Sequence, residues 1–157
     1  MSMTIRDLWP ADALASDVLS PVAILRIQAA RLGERTKGLL EAEVTTTSDG
    51  AQVSHEFRLI APALNRYCYD LFSISHRQQL VYPATIESEA FDEPAIAHSQ
   101  DEFISDIRTI LSSSTTRAVI HSLIARSNDD SPPKDVSPPP TRNLQRLTVK
   151  TYLLELP

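Results

Sequence analysis

Residues 40–61 read LEAEVTTTSDGAQVSHEFRLIA, and this stretch decides the fold class. Apolar and polar residues alternate on both sides of Asp49-Gly50, and a period of two is typical of a strand with one buried face. The Asp-Gly pair favours the positive φ angles that a tight hairpin needs. The stretch therefore predicts an antiparallel hairpin, with strands over about 39–47 and 51–61.

Two further strands are predicted after the hairpin, over about 66–75 and 79–87. The first of them carries apolar residues on both faces, which is typical of a central strand covered on both sides. Pro83 lies inside the second and has no N–H to donate, which favours an edge position. Residues 87–98 are rich in Asp and Glu, and we expect them to form a loop. The prediction is a four-stranded antiparallel meander.

Three segments with apolar residues at helical spacing predict helices over 21–37, 100–112 and 115–126. Ser20 precedes the first helix and can cap its free N–H groups. Ser99 precedes the second and opens a capping box with the glutamate three residues later. Because the helices flank the run of strands instead of alternating with them, the sequence indicates the α+β class.

The composition changes after residue 126. Five of the chain's 11 prolines fall between residues 127 and 141, as expected of an extended linker. The sequence then becomes apolar again, with the alternation of a strand. We therefore expect an α+β domain over 1–126, a Pro-rich linker over 127–143, and a docking tail or added strand over 144–157. This tail would pair with the domain's own sheet or with the sheet edge of a partner, through Leu147, Val149, Tyr152, Leu153 and Leu154.

The composition also indicates a cytoplasmic globular protein. The chain has 157 residues, a net charge of −5 and one cysteine, which excludes an intramolecular disulfide and fits a reducing compartment. No apolar run approaches the ~20 residues that span a bilayer, and the negative net charge disfavours nucleic-acid binding. Three glycines leave no phosphate-binding loop, so we expect no cofactor and no membrane partner.

Few residues are candidates for catalysis. Cys68 with His55 or His76 is one candidate thiolate–imidazole pair, although a lone cysteine is more often a buried apolar side chain. The four histidines stand 21 to 23 residues apart in no metal-ligand pattern, so no metal site is predicted. The other candidate is a small hydrolase or nuclease site made of His55, His76, Tyr67 and Asp70.

Short motifs in the first half of the chain resemble those of a group of bacterial proteins of uncharacterised function. They read LGERTKG, APAL, YCYDLF and YP at 32–38, 61–64, 67–72 and 82–83. The resemblance covers about residues 20–126. It implies a bacterial cytoplasmic origin, and it supplies no activity and no functional residue.

The leading hypothesis is a non-enzymatic protein–protein interaction module, a subunit or adaptor of a bacterial cytoplasmic assembly. It rests on the polar residues, which form no catalytic pattern, and on the linker with its docking tail. The partner would be another protein or a second copy of the chain. Two alternatives stay open. One is the hydrolase or nuclease. The other is a nucleic-acid accessory protein that uses the basic end of the first helix and the basic tail, whose residues are Arg26, Arg31, Arg35, Lys37, Arg142, Arg146 and Lys150.

Overall fold

The computed structural model describes residues 4–130, and its architecture is α+β, as the sequence predicts. The helices and strands are, in chain order, α1 (Pro21–Arg35), β1 (Glu41–Ser48), β2 (Gln52–Ala61), β3 (Tyr67–Arg77), β4 (Ala84–Ser88), β5 (Ala95–Ala97), α2 (Gln100–Ser112) and α3 (Ser114–Asp130). Single 3-10 turns lie at Ala11–Leu14 and Pro62–Leu64. The rest of the predicted linker, from residue 131, and the predicted tail lie outside the described residues.

Within the described residues, the sheet has five strands in the order β1-β2-β3-β4-β5, all antiparallel. The antiparallel meander is confirmed, but its far end differs from the prediction. β4 starts at Ala84, after Pro83, so the missing proline N–H costs no bond between strands. β4 is also not an edge strand, because β5 forms within the predicted acidic loop and pairs Ala97 with Ala84 and Ala95 with Ile86.

A β-bulge changes which side chains of β3 face the core. Phe57 pairs with Phe72 but Arg58 pairs with Asp70, so Leu71 is an extra residue on β3. The prediction that this strand is covered on both sides is therefore wrong. The bulge brings the apolar residues on either side of it onto one face, and the opposite face carries exposed Asp70. The sheet thus has one covered face and one polar face.

The helix ends follow the local sequence closely. Ser20 accepts the Ala23 N–H at 3.3 Å, and Ser99 accepts the Glu102 N–H at 3.2 Å. The Glu102 carboxylate accepts the N–H of His98, one residue before the cap, at 2.7 Å. At the other end of the domain, α3 runs to Asp130, so residues 127–130 are helical although the sequence places them in the linker.

α1 ends two residues earlier than predicted, at a cap in which a lysine takes the left-handed conformation. Lys37 has φ +52° and its N–H donates to the Glu34 carbonyl at 3.2 Å. The Gly38 N–H donates to the Gly33 carbonyl at 2.9 Å. These two bonds form a Schellman motif, in which the left-handed position is usually a glycine. The predicted stop signal, Gly38, lies one residue beyond that position.

The core lies between the covered face of the sheet and the three helices. Leu25 of α1 and Phe103 of α2 are fully buried in it, and the rings of Phe57 and Phe72 stack with centroids 5.0 Å apart. Each such side chain contributes about 1.5–3 kcal/mol by leaving water. Across residues 4–130, no helix is long and apolar enough to cross a membrane.

Candidate functional site

The structure brings two of the predicted site residues, His55 and His76, into direct contact. His55 lies opposite Ile74 and His76 lies opposite Val53, so the two imidazoles are diagonal neighbours on the covered face of β2 and β3. Their Nε2 atoms are 3.0 Å apart. His55 is 3% exposed and His76 is 9% exposed. The sheet therefore holds a buried histidine pair near the turn of the first hairpin.

All four ring nitrogens of this pair have a hydrogen-bond partner. His76 Nδ1 lies 2.8 Å from the Arg77 carbonyl oxygen, which can only accept, so this nitrogen donates. Its Nε2 is bonded to His55 Nε2, and His55 Nδ1 is bonded to the Thr46 hydroxyl at 2.9 Å.

Burial sets the protonation of His55. Loss of water is the largest cause that lowers the pKa of His55 from 6.5 to about 4, and the nearby charges of His76 and Arg26 contribute the rest. His55 is consequently neutral at pH 7. A buried pair in which every ring nitrogen is hydrogen-bonded has no free lone pair to offer a metal ion or a substrate. Residues 4–130 also contain no group of three or more His, Cys, Asp or Glu that could hold a metal ion.

The other two residues of the predicted hydrolase site lie elsewhere. Tyr67 begins β3 opposite Ala61, nine positions from His76, which is about 30 Å along an extended strand. Asp70 lies on the polar face, where its carboxylate accepts from Arg58 Nε at 3.1 Å. The fold thus joins the two histidines and separates them from the tyrosine and the aspartate.

Cys68 does not pair with either histidine. It lies opposite Ile60, on the face of the sheet away from the imidazoles. The prediction that this cysteine is buried is wrong, since it is exposed and its thiol donates to the Arg66 carbonyl at 3.2 Å. The side chain is exposed because the bulge in β3 puts Cys68 on the polar face.

A groove between α1 and α2 is the feature that the sequence reasoning missed. We call it the helix groove; it has a volume of about 520 Å³, which is within the range of pockets that bind ligands. Its continuation along α1 has a volume of about 440 Å³ and a floor of Phe57, Leu59 and Leu71. The walls of the two parts include Ile24, Ile27, Leu32, Ile107, Leu111 and Ile120.

The helix groove is apolar inside and basic around its sides. Arg31, Arg35 and Arg108 line it, and all three are exposed. The ion pairs formed within residues 4–130 both involve Arg58 on the sheet, so none of the three has a carboxylate partner there. The sequence contains the signal, because both helices carry apolar and basic residues at helical spacing. The sequence does not show the distance between α1 and α2. This distance leaves the facing surfaces of the two helices open.

The residues predicted to dock through the tail lie outside the described residues. They are Leu147, Val149, Tyr152, Leu153 and Leu154, and their interaction stays a prediction.

Comparisons of the chain with protein-family models, with curated proteins and with solved structures found no match.

Proposed function

We propose that the protein is a non-enzymatic protein–protein interaction module that binds an apolar, acidic segment of a protein in the helix groove. The observation that carries this proposal is the pair of facing helix surfaces, apolar and basic, with an open groove between them. As in the sequence analysis, the module would be a subunit or adaptor of a bacterial cytoplasmic assembly.

The chemistry of the groove supports a peptide as the ligand. Ile27 is 41% exposed at the groove and Leu111 is half-buried in its wall, so an apolar partner would remove both from water. Apolar segments bind protein grooves through side chains at helical spacing. Arginine is enriched among the residues that dominate binding energy, and an unpaired guanidinium favours a carboxylate partner.

The histidine pair supports catalysis less well. A general base needs a nitrogen within reach of its substrate. His55 and His76 are buried, and their nitrogens are bonded to each other, to Thr46 and to the backbone. A structural role in the sheet accounts for all of these contacts.

Peptide binding tests the proposal directly. A fluorescein-labelled amphipathic peptide with leucines and aspartates at helical spacing is titrated with the protein, and anisotropy reports binding. A second peptide carries lysine in place of each aspartate. We expect the acidic peptide to bind more tightly, because three arginines line the groove and none of them pairs with a carboxylate of residues 4–130.

Variants locate the binding surface. Ile27→Asp places a charge on the apolar wall and should weaken binding by about tenfold or more. Arg117→Gln is the matched control, because Arg117 is an exposed residue of α3 that does not line the groove. Equal binding by the Ile27→Asp variant and the wild type would contradict the proposal. Tighter binding of a single-stranded DNA oligonucleotide than of the acidic peptide would favour the nucleic-acid alternative.

The docking tail is a separate part of the proposal and has its own test. Truncation after Asp130 removes the predicted tail and the part of the predicted linker from residue 131, and it leaves every described helix and strand intact. If the tail docks on a partner, the truncated protein keeps the thermal stability of the full chain. A large fall in melting temperature would mean that the tail belongs to the fold.

A further inference from the structure

The segment before α1 exposes an unusual number of large apolar side chains. We call residues 4–19 the apolar arm. Ile5 is 79% exposed, Leu8 is 84% exposed and Trp9 is 70% exposed, and Leu14 and Val18 are also exposed. Single exposed apolar residues are common, but a contiguous group of them marks a surface that binds something.

The charge of the apolar arm is opposite to that of the helix groove. The arm carries Asp7, Asp12 and Asp17 against Arg6, which leaves a net charge of −2. Among the described residues, the lining of the groove includes three arginines and no carboxylate. Complementary charge of this kind gives specificity to an apolar contact.

The arm leaves the domain at the mouth of the groove. The Leu19 N–H donates to Gln100 Oε1 at 2.9 Å, and the Leu19 carbonyl accepts from the Tyr82 hydroxyl at 3.0 Å. Leu19 itself lines the groove. Before it, the described hydrogen bonds of the arm are local, for example from the Trp9 N–H to Asp7. The arm is therefore anchored beside the groove but does not fill it.

We propose that the helix groove of one copy binds the apolar arm of a second copy, and that the exchange is reciprocal. This inference rests on the proposed function and names the occupant of the groove. A two-fold axis lets each copy give one arm and receive one, so the assembly closes at two copies. The apolar side chains of both arms leave water, and the aspartates of each arm lie beside the arginines of the other copy.

The single tryptophan of the chain reports this docking. Trp9 lies in the arm, so its emission should shift to shorter wavelength and resist acrylamide quenching as the protein concentration rises. Sedimentation velocity on the same samples should show the mass rising from 17.4 kDa to twice that value. A monomer at all concentrations overturns the inference, whether Trp9 stays exposed or is buried in its own groove.

Point variants test whether the arm makes the dimer contact. Leu8→Asp should raise the dimer dissociation constant by about tenfold or more. The substitution is at an exposed position, so the circular dichroism spectrum should not change. Leu80→Asp is the matched control, because Leu80 is 54% exposed and lies outside the arm and the groove. A dimer that Leu8→Asp does not weaken forms through another surface and overturns the inference.

Charge reversal makes the test specific to this pair of surfaces. One variant replaces the three arm aspartates with lysine, and the other replaces the three groove arginines with glutamate. Each variant alone should be monomeric, because its arm and its groove then carry charge of the same sign and repel each other. Their equimolar mixture should dimerise, because each arm then meets a groove of opposite charge. Failure of the mixture to dimerise overturns the inference.

Failure of the inference and failure of the proposed function give different results. If the protein stays monomeric but binds the acidic peptide through Ile27, the proposed function stands. Only the inference that the arm of a second copy occupies the groove is then refuted. If the protein neither dimerises nor binds the acidic peptide, both the inference and the proposed function are refuted.

Discussion

Acidification should destabilise this protein through the buried histidine pair. The pKa of His55 is lowered from 6.5 to about 4, mainly because burial disfavours the charged imidazole. Between these two values the unfolded chain binds a proton that the folded chain does not. Stability is therefore fully present above about pH 6.5, and it is lost as the pH falls toward 4.

The size of the loss follows from the two pKa values of His55. At pH 5 about 97% of the unfolded chains and about 10% of the folded ones carry the proton. The linkage relation then gives a loss of about 2 kcal/mol between pH 7.5 and pH 5, and a limit of about 3 kcal/mol at lower pH. A loss of 2 kcal/mol lowers the melting temperature of a domain this size by about 8 °C.

Urea denaturation at pH 7.5 and pH 5 measures this effect. Carboxyl groups titrate mostly below pH 5, so they contribute little to the change in this interval. The variant His55→Gln cannot ionise and keeps a polar side chain at this position. We expect it to lose about 2 kcal/mol less than the wild type between the two pH values. His121→Gln, at an exposed position of α3, is the matched control and should behave like the wild type.

Equal pH dependence of the wild type and His55→Gln would refute this reasoning. NMR titration of the imidazole resonances gives an independent measurement. The His55 signal of the folded protein should not shift between pH 8 and pH 5.5, and a midpoint near 6.5 would show that burial does not control its ionisation.

Two further predictions concern helix ends. Ser99→Ala removes the acceptor of the Glu102 N–H and should lower the free energy of unfolding by about 1 kcal/mol in urea denaturation. Ser105→Ala is the control, at an exposed position inside the same helix. It should change the free energy of unfolding by less than about 0.5 kcal/mol. Lys37→Gly should raise the melting temperature, because glycine adopts the left-handed conformation at φ +52° without strain and thereby gains up to about 1 kcal/mol. Lys37→Ala, which keeps a Cβ atom, should give no such gain, and equal stabilisation by both variants would contradict this explanation.

Much of the fold could be predicted from short-range patterns. The first hairpin, β3, and the starts of α1 and α2 depend on alternation, turn residues and capping serines, all of which act over a few positions. The part of the meander after Arg77 was harder to predict. Pro83 suggested an edge strand, but β5 is three residues long and too short to give a clear periodic pattern.

The candidate sites were less predictable than the fold. The sequence singled out His55 and His76, but it placed them with Tyr67 and Asp70, which the strands separate. The helix groove depends on the distance between α1 and α2, and no local pattern encodes that distance. The basic residues of α1 were noticed, but Arg108 joins them only because α2 lies across the groove.

The sequence by itself determined the class of fold, the antiparallel hairpin and the capped helices, because each of these depends on neighbours in the chain. The tertiary structure decided which side chains meet. The bulge at Leu71 sets the face on which the residues of β3 lie, and it exposes Cys68. Strand register makes His55 and His76 diagonal neighbours, and helix packing leaves the groove open. These are distances between elements far apart in the chain, and they are fixed only when the whole core packs together.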